Sequence, residues 1–192
     1  FLIIVISMRF IVRNLQRLFL KMGYGGRSTI LLGKGDEAIH VAKSLNLEPF
    51  VSVQPDYSIL NREIEKELLP FCEAYQIGIL PFYPLAAGLL TGKYRRGQPI
   101  PEGTRLSLGG PAQKRWINDQ HFDILERLEE FTEERGHSLL DLAFAWLLAN
   151  PNISSVIAGA TKPEQITANV KTLEWRLNQD DLRELNTLLD AT

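Results

Sequence analysis

Three short β-forming runs, separated by stretches of helical or turn character, constrain this chain more than any other feature. Phe50-Val51-Ser52-Val53-Gln54 lies between Pro49 and Pro55, and Ile77-Gly78-Ile79-Leu80-Pro81-Phe82 follows a segment with Ile64, Leu68, Phe71 and Tyr75 on one helical face. The third run, Ile153 to Ala158, leads into Gly159-Ala160-Thr161. Apolar, β-branched runs bounded by proline and glycine read as strands, and the periodicity of 62–75 reads as a helix.

Strand, helix, strand, long loop, helices, strand, helix is the order of parallel β/α architecture, in which helices cover a sheet whose strands all point one way. Ligands in a β/α barrel collect at the C-terminal strand ends, and phosphates favour the loops after the last two strands. The candidate positions are therefore Gln54, Phe82 onward and Gly159 onward. The stretch from Gly88 to Gly110 is too long and too rich in glycine and proline for a routine connection, so it is expected to be a functional loop. Helices are expected at Glu37–Ser44, as a pair within 121–150, and over about 180–190. Ser138 and Asp141 have the spacing of a capping box ahead of Leu139, Leu142, Ala143, Trp146 and Leu147, and Thr161-Lys162-Pro163-Glu164 offers a second.

The opening of the chain is different. Residues 1–35 hold six Lys or Arg and no Asp or Glu, leaving 15 basic and 23 acidic side chains in the other 157 residues. That acidic body is a poor partner for nucleic acid. Phe1–Ile6 is far short of the roughly 20 apolar residues that span a bilayer, so no membrane span is expected. Arg9, Arg13, Arg17 and Lys21 recur every fourth residue beside Phe10, Ile11, Leu15, Leu18 and Phe19. Two readings fit: a mitochondrial presequence with Met8 as its start, or sequence joined ahead of the domain by aberrant splicing, a frameshift or a misdrawn gene. A single cysteine, Cys72, excludes an internal disulfide framework, so a reducing, cytoplasmic setting is the default, with the mitochondrion as the alternative. Cys72 reads as a small core residue, and His40, His121 and His137 read as helix-surface or cap residues, without the spacing of a metal site.

Gly88-Leu-Leu-Thr-Gly-Lys93 is one residue short of a P-loop, and Tyr94 stands where a magnesium-binding hydroxyl residue belongs, so that assignment is rejected. Gly159, Thr161 and Lys162 make a better anion site. Free amides and the helix dipole face the ligand at a helix start, and the lysine adds charge.

The segments FVSVQPDYSILNRE (50–63), ILPFYPLAAGLLTGKY (79–94) and LLDLAFAWLLANPNISSVIAGATKPEQITANV (139–170), in this order and spacing, resemble the aldo-keto reductases. The similarity is to the branch with bacterial general-purpose reductases and potassium-channel β subunits, and it covers about Glu37 to Leu189. It implies an eight-stranded β/α barrel of which this chain carries the last three units, with NADP(H) across the C-terminal mouth. It also implies that Gln54 hydrogen-bonds the nicotinamide carboxamide and that Phe82 stacks on the nicotinamide ring. Tyr83, Pro84, Leu85, Ala86 and Gly88 would run beside the pyrophosphate, where small residues let backbone amides approach an anion. Lys93 would approach the same group, and Arg105 would either close over the dinucleotide or remain a solvated loop charge. Gly159, Thr161 and Lys162 would take the 2'-phosphate, with Gln165 and Asn169 on the adenine side.

The same resemblance implies reduction of small aldehydes and ketones, with a tyrosine, lysine, aspartate and histidine handling the proton. Those four precede the matched segments. The Ser-Asn pair expected before Glu37 is replaced by Leu31-Leu32-Gly33-Lys34-Gly35, and Tyr57, Tyr94, His121 and Asp36 have no evident claim to the missing roles. No residue of the chain is therefore put forward as catalytic. Alone, the chain is expected to be inactive, with apolar faces and two sheet edges uncovered. Three readings follow: part of an NADPH-dependent carbonyl reductase, a silent NADP-binding subunit like the channel β subunits, or a non-functional remnant. Trp116 is read as core or pocket lining, and oligomerisation is left open.

Overall fold

A computed structural model describes residues 51–190. The basic opening, the helix expected at 37–44, Phe50, His40 and Asp36 lie outside the described residues.

The first two runs pair in parallel as β1 (Ser52–Val53) and β2 (Gly78–Ile79), with Ser52 opposite Gly78 and Val53 opposite Ile79. Their hydrogen bonds continue past the regular strands: the Leu80 amide donates to the Val53 carbonyl and the Phe82 amide to that of Pro55, both at 2.9 Å. Pro55 and Pro81 have no amide to donate, which keeps the regular ladder short. On the other side of β2 the third run joins through two parallel bridges, Ile79 with Ile153 and Phe82 with Ile157. Between these bridges one side advances three residues and the other four. This is a one-residue bulge, and it explains why the expected strand from Ile153 to Ala158 is not a regular one.

Helix α1 (Leu68–Tyr75) is shorter than the helix read over 62–75. A 3-10 turn at Glu63–Glu65 precedes it, and the chain breaks at Glu67. The cause is Pro70. Inside a longer helix its ring would clash with the carbonyl four residues back, whereas in the first turn of α1 its missing amide costs nothing. A helix absent from the sequence reading, α2 (Gly110–Trp116), ends the long loop, which also holds 3-10 turns at Ala86–Thr91 and Arg105–Leu108. Helices α3 (Asp119–Glu133), α4 (Leu139–Leu148), α5 (Pro163–Lys171) and α6 (Gln179–Asp190) follow.

Ser138 caps α4 as its spacing predicts. Its hydroxyl accepts from the Asp141 amide, and the Asp141 carboxylate accepts from the Ser138 amide. The second expected box forms differently. Pro163 is the first residue of α5, so Lys162 is the cap position and Gln165, not Glu164, is the side chain that reaches back. Proline favours the first helical position because its fixed φ suits it, which moves the box one residue along.

Helix α4 is buried nearly all round, from Leu139 through Leu142 and Ala143 to Leu147. A helix apolar on every side belongs inside a fold. The Ala86–Thr91 turn, α3, α5 and the 3-10 turn at Thr172–Glu174 pack on it. Cys72, Ile79, Leu89 and Leu90 complete the core beside it, and Trp116 is also buried. Apolar residues remain exposed at both flanks: Val51 ahead of β1, and Ile157, Ile166, Val170 and Leu173 around α5. Among the described residues, no further strand pairs with either outer edge.

Arg135 joins α3 to α6, donating to Asp181 at 3.0 Å and Glu184 at 2.8 Å while lying over the Phe131 ring. Burial alone would push the Asp181 carboxyl up, but the Asn178 amide and Arg135 outweigh it and hold it below the usual range. Because folding lowers this pKa, its stabilisation is complete above the unfolded value near ~4 and is lost as pH falls through the folded value. Asp181→Asn should cost about 1 kcal/mol at pH 7. Denaturant melts across pH should show the difference shrinking below about pH 4; a difference independent of pH would refute the ionic role.

Candidate functional site

The parallel pairing gathers three strand ends at one side. Phe82 is bridged to Asp56 on one flank and to Ile157 on the other, while the Ile157 amide donates to the Pro81 carbonyl at 2.9 Å. Gln54 therefore follows β1 and lies two residues before that contact, and Gly159 follows two residues after it. Gln54 is exposed, Phe82 half-buried, and Gly159 open, with no atom within 4 Å of an added Cβ.

After Phe82 the backbone winds tightly. Tyr83, Ala86 and Ala87 have φ of 56°, 46° and 57°, and Gly88 follows at 99°. Left-handed conformations at non-glycine residues cost of order 1–3 kcal/mol each and concentrate at ligand-binding turns. Pro84, Ala86, Ala87 and Gly88 are buried and Leu85 is half-buried. The Ala86 and Gly88 amides donate to the Tyr83 and Leu85 carbonyls, so these two already have partners within the turn.

Gly88 has a second role. A Cβ there would lie 2.7 Å from both Cε and Nζ of Lys93, so the lysine tail crosses the space that glycine leaves empty. Lys93 Nζ also sits 5.2 Å from the centre of the Tyr94 ring. Arg105 comes to the same turn from the far side of the loop, its guanidinium 5.2 Å from the Tyr83 ring centre. Phe82 and Tyr83 are themselves 5.3 Å apart, which makes a small aromatic and cationic cluster at the second strand end.

At the third strand end Thr161 and Lys162 are exposed at the start of α5. The Gln165 side-chain oxygen accepts from the Thr161 amide at 2.7 Å, the Thr161 hydroxyl at 3.2 Å and the Lys162 amide at 3.3 Å. A neutral oxygen thus occupies the place an anion would take. Asn169 lies one turn beyond Gln165, half-buried, its carbonyl accepting from Thr172. No hydrogen bond or ion pair among the described residues joins the start of α5 to Lys93.

Charge is distributed unevenly. Arg62, Arg95, Arg96, Arg115, Arg135 and Arg183 all form ion pairs with carboxylates. Among the described residues Lys93, Arg105 and Lys162 form none, and neither do Lys114, Arg127, Lys171 and Arg176. The Asp56–Arg115 pair, 2.9 Å between Oδ2 and Nη2, stands beside the first strand end and escaped the sequence reading because α2 did. Pro111 in the first turn, with Lys114 and Arg115 in the last, is a helix signal that could have found it.

Of the residues first considered for proton chemistry, Tyr57 and His121 are engaged elsewhere, and the Tyr94 hydroxyl is buried without a hydrogen-bond partner. Tyr57 is buried, donates to Glu65 at 2.9 Å and packs on Trp146. Burial first, then Glu65, drives its phenol far above the usual range, so it holds its proton. Tyr94 is buried, and His121 Nδ1 lies 2.9 Å from the Trp116 carbonyl at the start of α3. No cluster able to hold a metal ion occurs among the described residues, and no described helix is long and apolar enough to cross a membrane.

Comparisons with known proteins agree with this geometry. The aldo/keto reductase family profile matches residues 35–190, and the chain belongs to that family. A protein of Schizosaccharomyces pombe named as a voltage-gated potassium channel beta subunit is 38% identical over 90% of this chain and 52% of its own length. The NADH-specific methylglyoxal reductase of Escherichia coli is 32% identical over 81% of this chain and 47% of its own. The solved glycerol dehydrogenase of Gluconobacter oxydans superposes with a TM-score of 0.63 at 26% identity, over 76% of this chain and 44% of that one. The chain spans about half the length of the relatives it matches.

Gly88→Ala should lower stability by about 1–2 kcal/mol through its backbone conformation, read as a fall in the melting midpoint. An unchanged midpoint would mean that the turn relaxes to an ordinary φ.

Proposed function

We propose that residues 51–190 are the last three β/α units of an aldo-keto reductase barrel and carry its NADP(H)-binding side. The observation that carries this reading is the parallel bridging of Asp56, Phe82 and Ile157, which brings the loop after Phe82 next to the turn at Gly159. The three unpaired cations at these ends support it, as does the half-length match to the relatives. Gln54 and Phe82 would hold the nicotinamide end. Tyr83, Pro84, Leu85, Ala86, Gly88, Lys93 and Arg105 would line the pyrophosphate. Gly159, Thr161 and Lys162 would take the 2'-phosphate, and Gln165 and Asn169 the adenine side. The residues fit an anionic group: Lys93 is drawn over a glycine, and the amides at the start of α5 are closed only by a Gln165 oxygen that a phosphate oxygen could replace.

The bound dinucleotide would supply hydride to a small aldehyde or ketone. The relatives named for methylglyoxal and glycerol favour a short, oxygenated substrate. The second reading, a silent NADP-binding subunit, is favoured by the similarity to a protein named as a channel beta subunit and by the engagement of Tyr57 and His121 in structural contacts.

NADP over NAD rests on the turn at Thr161, and one relative is named as NADH-specific. Fluorescence titration of Thr161→Ala/Lys162→Ala should show NADPH affinity falling about tenfold, the equivalent of one charge-assisted contact. NADH affinity should change far less. Equal losses for both nucleotides would defeat the 2'-phosphate assignment, and a parent chain that binds neither would defeat the cofactor reading.

A further inference from the structure

Both backbone groups of Phe82 are taken by one short stretch of chain. Its amide donates to the Pro55 carbonyl at 2.9 Å, and its carbonyl accepts from the Tyr57 amide at 3.3 Å. Gln54 is the residue directly before that stretch. Gln54 and Phe82 therefore stand wherever residues 55–57 stand. Hydrogen bonds between two strand ends fix the spacing of those ends, but they leave open how the pair sits against the core. A side chain that reaches the core has to decide that.

Tyr57 has the contacts to do so. Its side chain is 3% exposed, its ring centre lies 5.1 Å from that of Trp146 on the buried helix α4, and its hydroxyl donates to Glu65 Oε1 at 2.9 Å. Glu65 is held in turn by Arg62, whose Nε and Nη2 donate to the carboxylate at 2.8–3.0 Å. Arg62 also reaches Asp190 at the end of α6, at 3.4 Å. The direction of the Tyr57 bond is fixed, because an ionised carboxylate can only accept and the buried phenol keeps its proton. A carboxylate gripped by a planar guanidinium has a defined orientation, so the phenol is offered one place to bind. The adenosine side is independent of this network. It follows a different strand end, and the hydrogen bonds of Thr161, Lys162 and Gln165 are local to the start of α5.

We infer, on the cofactor reading above, that Tyr57 is a positioning residue for the nicotinamide half of the dinucleotide: its bond to Glu65 and its seat on Trp146 set where Gln54 and Phe82 stand. Tyr57 need touch no ligand itself. Support of this kind acts only on the groups it holds, so the adenosine half should not feel its loss.

Titrations of the full chain with NADPH and with adenosine 2',5'-bisphosphate, which carries the adenosine phosphates without the nicotinamide, separate this role from a general loss of structure. Tyr57→Phe keeps the ring on Trp146 and removes only the hydroxyl. It should weaken NADPH about fivefold, the equivalent of one hydrogen bond, and leave the bisphosphate within about twofold of the parent. The emission of bound NADPH should move toward that of the free nucleotide, since the ring is less firmly seated. Glu65→Ala should match Tyr57→Phe, and the double variant should go no further, because both changes break one bond. Glu65→Gln keeps an acceptor for the phenol and should recover most of the NADPH affinity. Unchanged NADPH affinity in Tyr57→Phe, an equal loss of both ligands, or no recovery in Glu65→Gln would overturn the positioning role alone. A parent chain that binds no NADPH would overturn it together with the cofactor reading.

Discussion

Everything at the candidate site depends on a backbone segment, residues 78–82, that pairs in parallel on both sides at once. Parallel pairing aligns strand directions, so the ends of all three runs meet at one rim. Antiparallel pairing of the same runs would send Phe82 and Gly159 to opposite rims, and no choice of side chains would bring them back. Few hydrogen bonds carry this arrangement, because prolines interrupt two of the runs and a bulge interrupts the third. The buried helix α4 provides the rest, giving the Ala86–Thr91 turn, α3 and α5 a common apolar surface.

Against that support the turn after Phe82 adopts an unfavourable backbone. Successive left-handed residues are tolerated because the turn is buried and hydrogen-bonded to itself. The outcome is a rigid ledge across which Lys93 is stretched. At the neighbouring rim the start of α5 has the opposite character: it is exposed, and the Gln165 side chain closes it. On the proposed cofactor reading, one half of the site is pre-shaped and the other would exchange Gln165 for the ligand, so affinity should depend more on the second.

How much was legible in the sequence follows from the range of each interaction. Ser138 and Asp141 sit three residues apart, and their box is the one the spacing predicts. The three β runs were visible as composition, and the order of elements as alternation. Pro70 was visible too, but its effect depends on where the helix starts. Pro163 likewise transferred the α5 box from Glu164 to Gln165. The Asp56–Arg115 and Arg135–Asp181 pairs join residues far apart in the chain, and nothing local announces such a partner. The bulge between Ile153 and Ile157 belongs to the register between strands, which one strand's sequence does not contain.

The basic side chains differ in what surrounds them, and it is position rather than the lack of an ion pair that distinguishes those at the strand ends, since Lys114, Arg127, Lys171 and Arg176 also form none among the described residues. Arg96 is held by Asp119, Asp123 and Glu126, and Arg135 by Asp181 and Glu184, so their charge is spent on holding helices and loops together. A neutralised guanidinium offers little to an anion. Lys93, Arg105 and Lys162 are placed where carboxylates are missing, over a glycine, over a tyrosine ring and at a helix start. On the proposed cofactor reading, a polyanionic ligand would meet Lys93, Arg105 and Lys162 without having to displace a carboxylate from any of them.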